Sequence, residues 1–73
     1  MDKISAIDSL SKARDLNAFA IINTTEKKYI AKNFKEPSED SVEIVLYDDS
    51  TVILKFEDIY RIDSSFNSPP FFK

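Results

Sequence analysis

Three adjacent carboxylate pairs, Glu39-Asp40, Asp48-Asp49 and Glu57-Asp58, are the groups in this chain best suited to polar chemistry. Such pairs can hold Mg²⁺ or Ca²⁺, or divide acid and base roles between them. Neighbours in sequence, however, point to opposite faces of a strand or sit in turns. The calcium-loop spacing, with its obligatory Gly, is absent. All three pairs fall where loops or turns are predicted, so solvated turn carboxylates are the simpler expectation. Ser and Thr are plentiful, but the chain has no His and no Cys, and no Ser has a recognisable Lys partner to serve as base. The absence of Gly excludes the phosphate-cradling loops and nucleophile elbows that need a bare backbone. The expectation is a non-enzyme with no metal and no cofactor.

Two charged surfaces are left to consider. Lys27, Lys28, Lys32 and Lys35 cluster with Tyr29 and Phe34. Cations for phosphates and rings for stacking are the logic of single-strand binding, with Lys27, Lys28, Tyr29 and Lys32 as candidate contacts. The net charge of -3 argues against nucleic acid, and lysines on a solvated edge strand also discourage sheet aggregation. Residues 40–63 have the opposite bias, with seven acidic residues against Lys55 and Arg61. An acidic surface can dock a basic protein face, or simply confer solubility. On the alternate positions of the same stretch stand Tyr47, Ile53 and Tyr60. Outward aromatic and aliphatic side chains are typical of a partner interface, unless the helix or tail covers them. The candidate partner-binding residues are therefore Glu43, Tyr47, Asp48, Asp49, Ile53 and Tyr60.

The elements that must position these residues follow from periodicity. Residues 2–16 read as an amphipathic helix, with Ile4, Ile7, Leu10 and Ala13 on one stripe and Ala6 beside them. Asp2 is the predicted N-cap, with Ser5 as competitor, and Asn17 the stop signal. Ala18–Asn23 and Tyr29–Phe34 read as strands across a polar turn. In the second, Ile30 and Phe34 face one way and Tyr29 and Ala31 the other. Lys35–Asp40 is a loop. Val42, Ile44 and Leu46, then Val52, Leu54 and Phe56, alternate with other residues and predict a hairpin, with Asp49 supplying the left-handed turn residue. Ile59–Ile62 reads as a last strand. The predicted core is Ile4, Ile7, Leu10, Phe19, Ile21, Ile30, Phe34, Val42, Ile44, Leu46, Val52, Leu54, Phe56, Ile59 and Ile62. One helix supplies no crossovers, so the sheet should be antiparallel. Residues 1–63 make one α+β domain. Residues 64–73, SSFNSPPFFK, form a Pro/Phe-rich tail that either docks on its own domain or a neighbouring copy, or is offered to another protein.

The hairpin VEIVLYDDSTVILKF, the break at Glu57-Asp58 and the strand IYRID together resemble the closing strands of a small SH3-like or Sm-like barrel. Helix-then-five-strands is also similar to the Sm-like order, an architecture shared by some small bacterial inhibitors of transcription termination. The resemblance implies a partly closed barrel. An open sheet of four or five strands with one helix is the alternative. It carries no functional residue over, because the Gly-containing signatures of Sm-like RNA-binding proteins are missing.

Hydrophobic residues make up 42% of the 73-residue chain, enough for a packed core. The longest apolar run, Ala18–Ile22, is far shorter than the roughly 20 residues of a membrane helix. The opening residues lack a signal-peptide layout, and a cytoplasmic protein with no membrane association is expected. The expected function is a non-catalytic protein-binding module: a small regulator or inhibitor of a larger cellular protein, of the sort phage and mobile elements encode. A nucleic-acid-binding barrel and a self-assembling subunit are the alternatives.

Overall fold

A computed structural model describes residues 1–66. One helix, α1 (Lys3–Asp15), precedes five strands: β1 (Phe19–Thr24), β2 (Lys28–Phe34), β3 (Ser41–Leu46), β4 (Thr51–Lys55) and β5 (Ile59–Ser65). A single 3₁₀ turn, Phe56–Asp58, joins β4 to β5. The strands form one antiparallel sheet in the order β4-β3-β2-β1-β5. The sheet is open, since β4 and β5 occupy opposite edges and do not pair.

Local chemistry sets each boundary. Asp2 caps α1, its side chain accepting from the Ser5 N–H at 3.4 Å. At the other end Asn17 takes φ 56°, the Asn17 N–H donates to Arg14 O (3.0 Å) and the Ala18 N–H to Ala13 O (2.8 Å). That bonding pattern is the Schellman motif, with Asn in the place usually held by Gly. Lys12 and Arg14 in the last turn complement the helix dipole. The β1–β2 turn has no Gly either. Thr24 holds it instead, its hydroxyl donating to Lys27 O (2.8 Å) and accepting from the N–H groups of Glu26 and Lys27. In the β3–β4 turn Asp49 adopts φ 71°, as its type and position predict.

Apolar side chains collect between α1 and the inner sheet face. Ala6, Leu10 and Ala13 of α1 are buried with Ala18, Ala20, Ile22, Ala31, Val42, Ile44, Leu54, Phe56 and Ile59. Ile7, Phe34, Leu46, Val52 and Ile62 pack half-buried around them, as does Tyr29. The Met1 nitrogen donates to Phe56 O (3.1 Å) and Ile59 O (2.5 Å), tying the start of α1 to the β4–β5 connection.

Three parts of the predicted core are corrected. Ile4 is 81% exposed. At about 100° per residue it lies roughly 150° from the centre of the Ala6–Leu10–Ala13 stripe, so the buried face is turned away from it. Phe19 and Ile21 are only half-buried because β1 presents the opposite phase, Ala18, Ala20 and Ile22, to α1. In β2 the register slips between Ala31 and Asn33: Ala31 pairs with Leu46 and Asn33 with Val45, leaving Lys32 as an extra residue. This bulge puts Tyr29, Ala31 and Phe34 on the inner face and Ile30 on the outer one, where the sequence placed Ile30 with Phe34. Boundaries differ less: β1 is shifted by one residue, Phe56 belongs to the 3₁₀ turn, and β5 runs on to Ser65.

Candidate functional site

The outer sheet face is fixed by register. Asp63, Ile21 and Ile30 lie in one cross-strand row, and the Tyr47 N–H donates to Ile30 O (3.1 Å), extending that row to β3. Ser65 and Phe19 lie in the next row, and Val45 stands opposite Asn33 and Thr51. Beyond them Glu43 pairs with Ile53 on β4. The outer face thus carries an apolar band, Phe19, Ile21, Ile30, Val45 and Tyr47, ending near Ile53 at the β4 edge. Ile53 is 68% exposed and Tyr47 46%. Tyr60, 64% exposed, sits at the second register irregularity, on the β5 edge across the sheet from Ile53. Five of the six residues predicted for partner binding therefore share the β3–β4 hairpin, and Tyr60 stands apart from them.

The acidic rim is largely engaged within the chain. Asp49 forms an ion pair with Lys32, and Glu43 with Lys35 at 3.3 Å. Asp48 Oδ1 accepts from the Ser50 hydroxyl (2.5 Å) and the Ser50 N–H (3.1 Å). These bonds, the hydroxyl's first, hold the Asp48 carboxyl below its ordinary pKa by stabilising the charged form. Asp2 is lowered in the same way by Ser5.

These pairings also bear on the basic cluster. The bulge at Lys32 aims its ammonium at the hairpin turn, so one candidate phosphate contact neutralises one candidate acidic contact. Lys27 lies 4.9 Å over the Tyr29 ring, which itself packs on the core. Lys28 is exposed on the outer face opposite Asn23. The lysines therefore do not converge on an uncommitted groove. Among the described residues, no group of three or more Asp or Glu is placed to share a metal ion. No helix among them is long and apolar enough to cross a membrane.

A cleft of about 370 Å³ separates the β1–β2 turn from β4, lined by Thr24, Glu26, Tyr29, Ile53, Lys55 and Asp58 among others. Sequence reasoning missed the β1 part of the outer band, having placed Phe19 and Ile21 in the core; Ile30, also placed in the core, is buried, but on the outer face. The available signal was Ala18, Ala20 and Ala31: small residues mark the side where a helix approaches closely, which turns their large neighbours outward. Comparison of the chain with protein-family models, with curated proteins and with solved structures finds no match to any of them.

Proposed function

We propose that this chain is a non-catalytic protein-binding module, a small regulator or inhibitor of a larger protein, and that it engages its partner through the outer face of the β3–β4 hairpin. The observation that carries this is Ile53, an isoleucine 68% exposed on a strand, with Glu43 directly across from it and Val45 on the diagonal. A large apolar side chain held on a rigid hairpin beside charged neighbours is the composition of an interface edge. The nucleic-acid alternative is weakened by the ion pair that occupies Lys32. We also read the sheet as a partly closed SH3-like barrel. Supporting this are the strand order, the 3₁₀ turn between β4 and β5, and the two register irregularities, in β2 and β5.

The test compares capture from nuclease-treated lysate by the wild-type chain and by Ile53→Asp. An exposed position should tolerate the change, leaving the thermal midpoint within a few degrees. One dominant protein retained by the wild type and lost with Ile53→Asp supports the proposal. Capture indifferent to Ile53→Asp, or recovery of nucleic acid alone from untreated lysate, overturns it.

A further inference from the structure

β4 is an edge strand with one side of its backbone unused. The Leu46 N–H donates to Ser50 O at the hairpin turn (2.8 Å), and β4 then pairs with β3 in unbroken register, Val52 opposite Ile44 and Leu54 opposite Val42. Hydrogen-bonded and non-bonded pairs alternate along an antiparallel ladder, so Val52 and Leu54 turn their N–H and C=O groups toward β3. Thr51, Ile53 and Lys55 turn theirs the other way, each with one donor and one acceptor. Among the described residues no strand pairs with that side of β4. Natural edges are commonly blunted by a proline, a bulge or an inward-pointing charge. The strand Thr-Val-Ile-Leu-Lys has none of these in its interior, and Lys55 at its end is its one charged residue.

The space beside this edge is shaped and charged. Val52, Ile53, Leu54 and Lys55 all line the cleft of about 370 Å³ that faces the β1–β2 turn. A cleft on one sheet face would be lined by alternate residues, so four in succession place it along the free edge of the strand. Glu26, Tyr29, Glu57 and Asp58 also line it. A second cleft, about 170 Å³, meets Ile53 on the outer face, with Glu36 and Glu43 in its wall. Five carboxylates thus flank Ile53, against Lys55 and the Lys35 that pairs with Glu43. Two copies of β4 laid edge to edge would set these carboxylates against each other, whereas a basic strand would set cations against them.

We propose that the partner contributes an extended basic segment that adds to β4 as a further strand of the sheet. Its main chain bonds to Thr51, Ile53 and Lys55, which supplies affinity with little demand on sequence. An apolar side chain stands opposite Ile53. Lys or Arg on the alternate positions lay their apolar stems along Val52 and Tyr29 and bring their charged heads to Glu26, Glu57 and Asp58. The inference rests on the partner-binding reading and gives it a binding mode and a partner chemistry.

Amide hydrogen exchange read by NMR on the full wild-type chain tests it, with a short peptide of alternating Lys and Val as the probe and its Glu/Val counterpart as control. The expected result is saturable binding of the Lys/Val peptide alone, with new protection at the Thr51, Ile53 and Lys55 amides and little change at Val52 and Leu54, which β3 already protects. Failure of the Lys/Val peptide to bind, equal binding of the Glu/Val peptide, or binding without protection at those three amides overturns the proposal, and none of these needs a variant to fold. Protection of the same amides in the free chain on dimerisation overturns it too, by assigning the edge to a second copy. Reversing two exposed charges, Glu26→Lys/Glu57→Lys, should weaken the Lys/Val peptide by about tenfold, and an unchanged affinity would remove the basic segment from the proposal. The partner-binding reading is judged separately: a captured protein lost with Ile53→Asp but giving no protection at Thr51, Ile53 and Lys55 in its complex leaves that reading standing and strand addition refuted.

Discussion

Removing one methylene from each of four isoleucines separates the inner face from everything else. Ile22 and Ile44 are fully buried, whereas Ile4 is 81% and Ile53 68% exposed. Ile→Val is the same chemical change at all four, so differences report environment alone. At the buried pair the loss combines transfer of a methylene with a residual cavity, about 0.5–1.5 kcal/mol each. At Ile4 and Ile53 the expected change is within about 0.5 kcal/mol. A 73-residue domain has a total stability of roughly 4–11 kcal/mol, so the valine variants stay folded where alanine at Ile22 or Ile44 threatens to unfold the chain. In thermal melts followed by far-ultraviolet circular dichroism, about 4–8 °C per kcal/mol gives losses of roughly 2–12 °C for Ile22→Val and Ile44→Val. In urea, with a slope near 1 kcal/mol/M, the midpoints fall by about 0.5–1.5 M. A drop for Ile4→Val as large as that for Ile22→Val would refute the helix orientation described above. No drop at Ile22 would refute the phase assigned to β1.

Further predictions test local devices. Asn17→Ala forces a side chain with no local polar compensation into a left-handed conformation and should cost about 1–2 kcal/mol, while Asn17→Gly should be neutral or mildly stabilising in the same melts; equal effects would show that φ at this position is not the constraint. Ser50→Ala should raise the Asp48 carboxyl midpoint, read by ¹³C NMR, toward the ordinary aspartate range. The sign follows from the lowered native value: the stabilisation from Asp48 is present above the unfolded pKa, about 3.9, and is lost as pH falls through the native one. An unmoved midpoint would show that the hydroxyl bond does not set it. A double-mutant cycle on Lys32 and Asp49, both substantially exposed, should give about 0.2–1 kcal/mol of coupling at low salt. That coupling should largely vanish in 1 M salt, and persistence would contradict a solvent-screened pair.

The helix and its ends were legible because their signals are local. Asp2, Asn17 and Asp49 occupy the cap and left-handed positions their side-chain chemistry favours, and the β3–β4 hairpin alternates without interruption. What was not legible depended on residues with a weak hydrophobic signal. Ala6, Ala13, Ala18, Ala20 and Ala31 are all buried, and they let α1 approach the sheet closely. Reading Phe19 and Ile21 as inward because they are larger reversed the phase of β1: contact at short range selects small side chains, and size alone points the wrong way. The bulge at Lys32 was invisible for a different reason. Nothing in KYIAKNF marks an unpaired residue, and only pairing with β3 reveals it. In the candidate site, the exposure of Tyr47, Ile53 and Tyr60 followed from the hairpin pattern. The ion pair between Lys32 and Asp49 did not, because seventeen residues separate them and only the pairing of β3 with β2 sets the hairpin turn beside Lys32.

Position 32 also carries information of an unusual kind. Ala31 and Phe34 are an odd number of residues apart, yet both must meet α1, and a strict two-residue alternation forbids that. The surplus residue changes the parity of the strand. Its side chain is dispensable in this respect, and so is its presence. Without Lys32 the pairs Ala31–Leu46, Asn33–Val45 and Phe34–Ile44 would follow one another as an unbroken ladder, with Ala31 and Phe34 two positions apart and both still facing α1. The bulge is therefore the way β2 absorbs one residue more than β3 can pair: the chain should forgive both substitution and deletion at position 32, and deletion should cost only the local bend and the ion pair to Asp49.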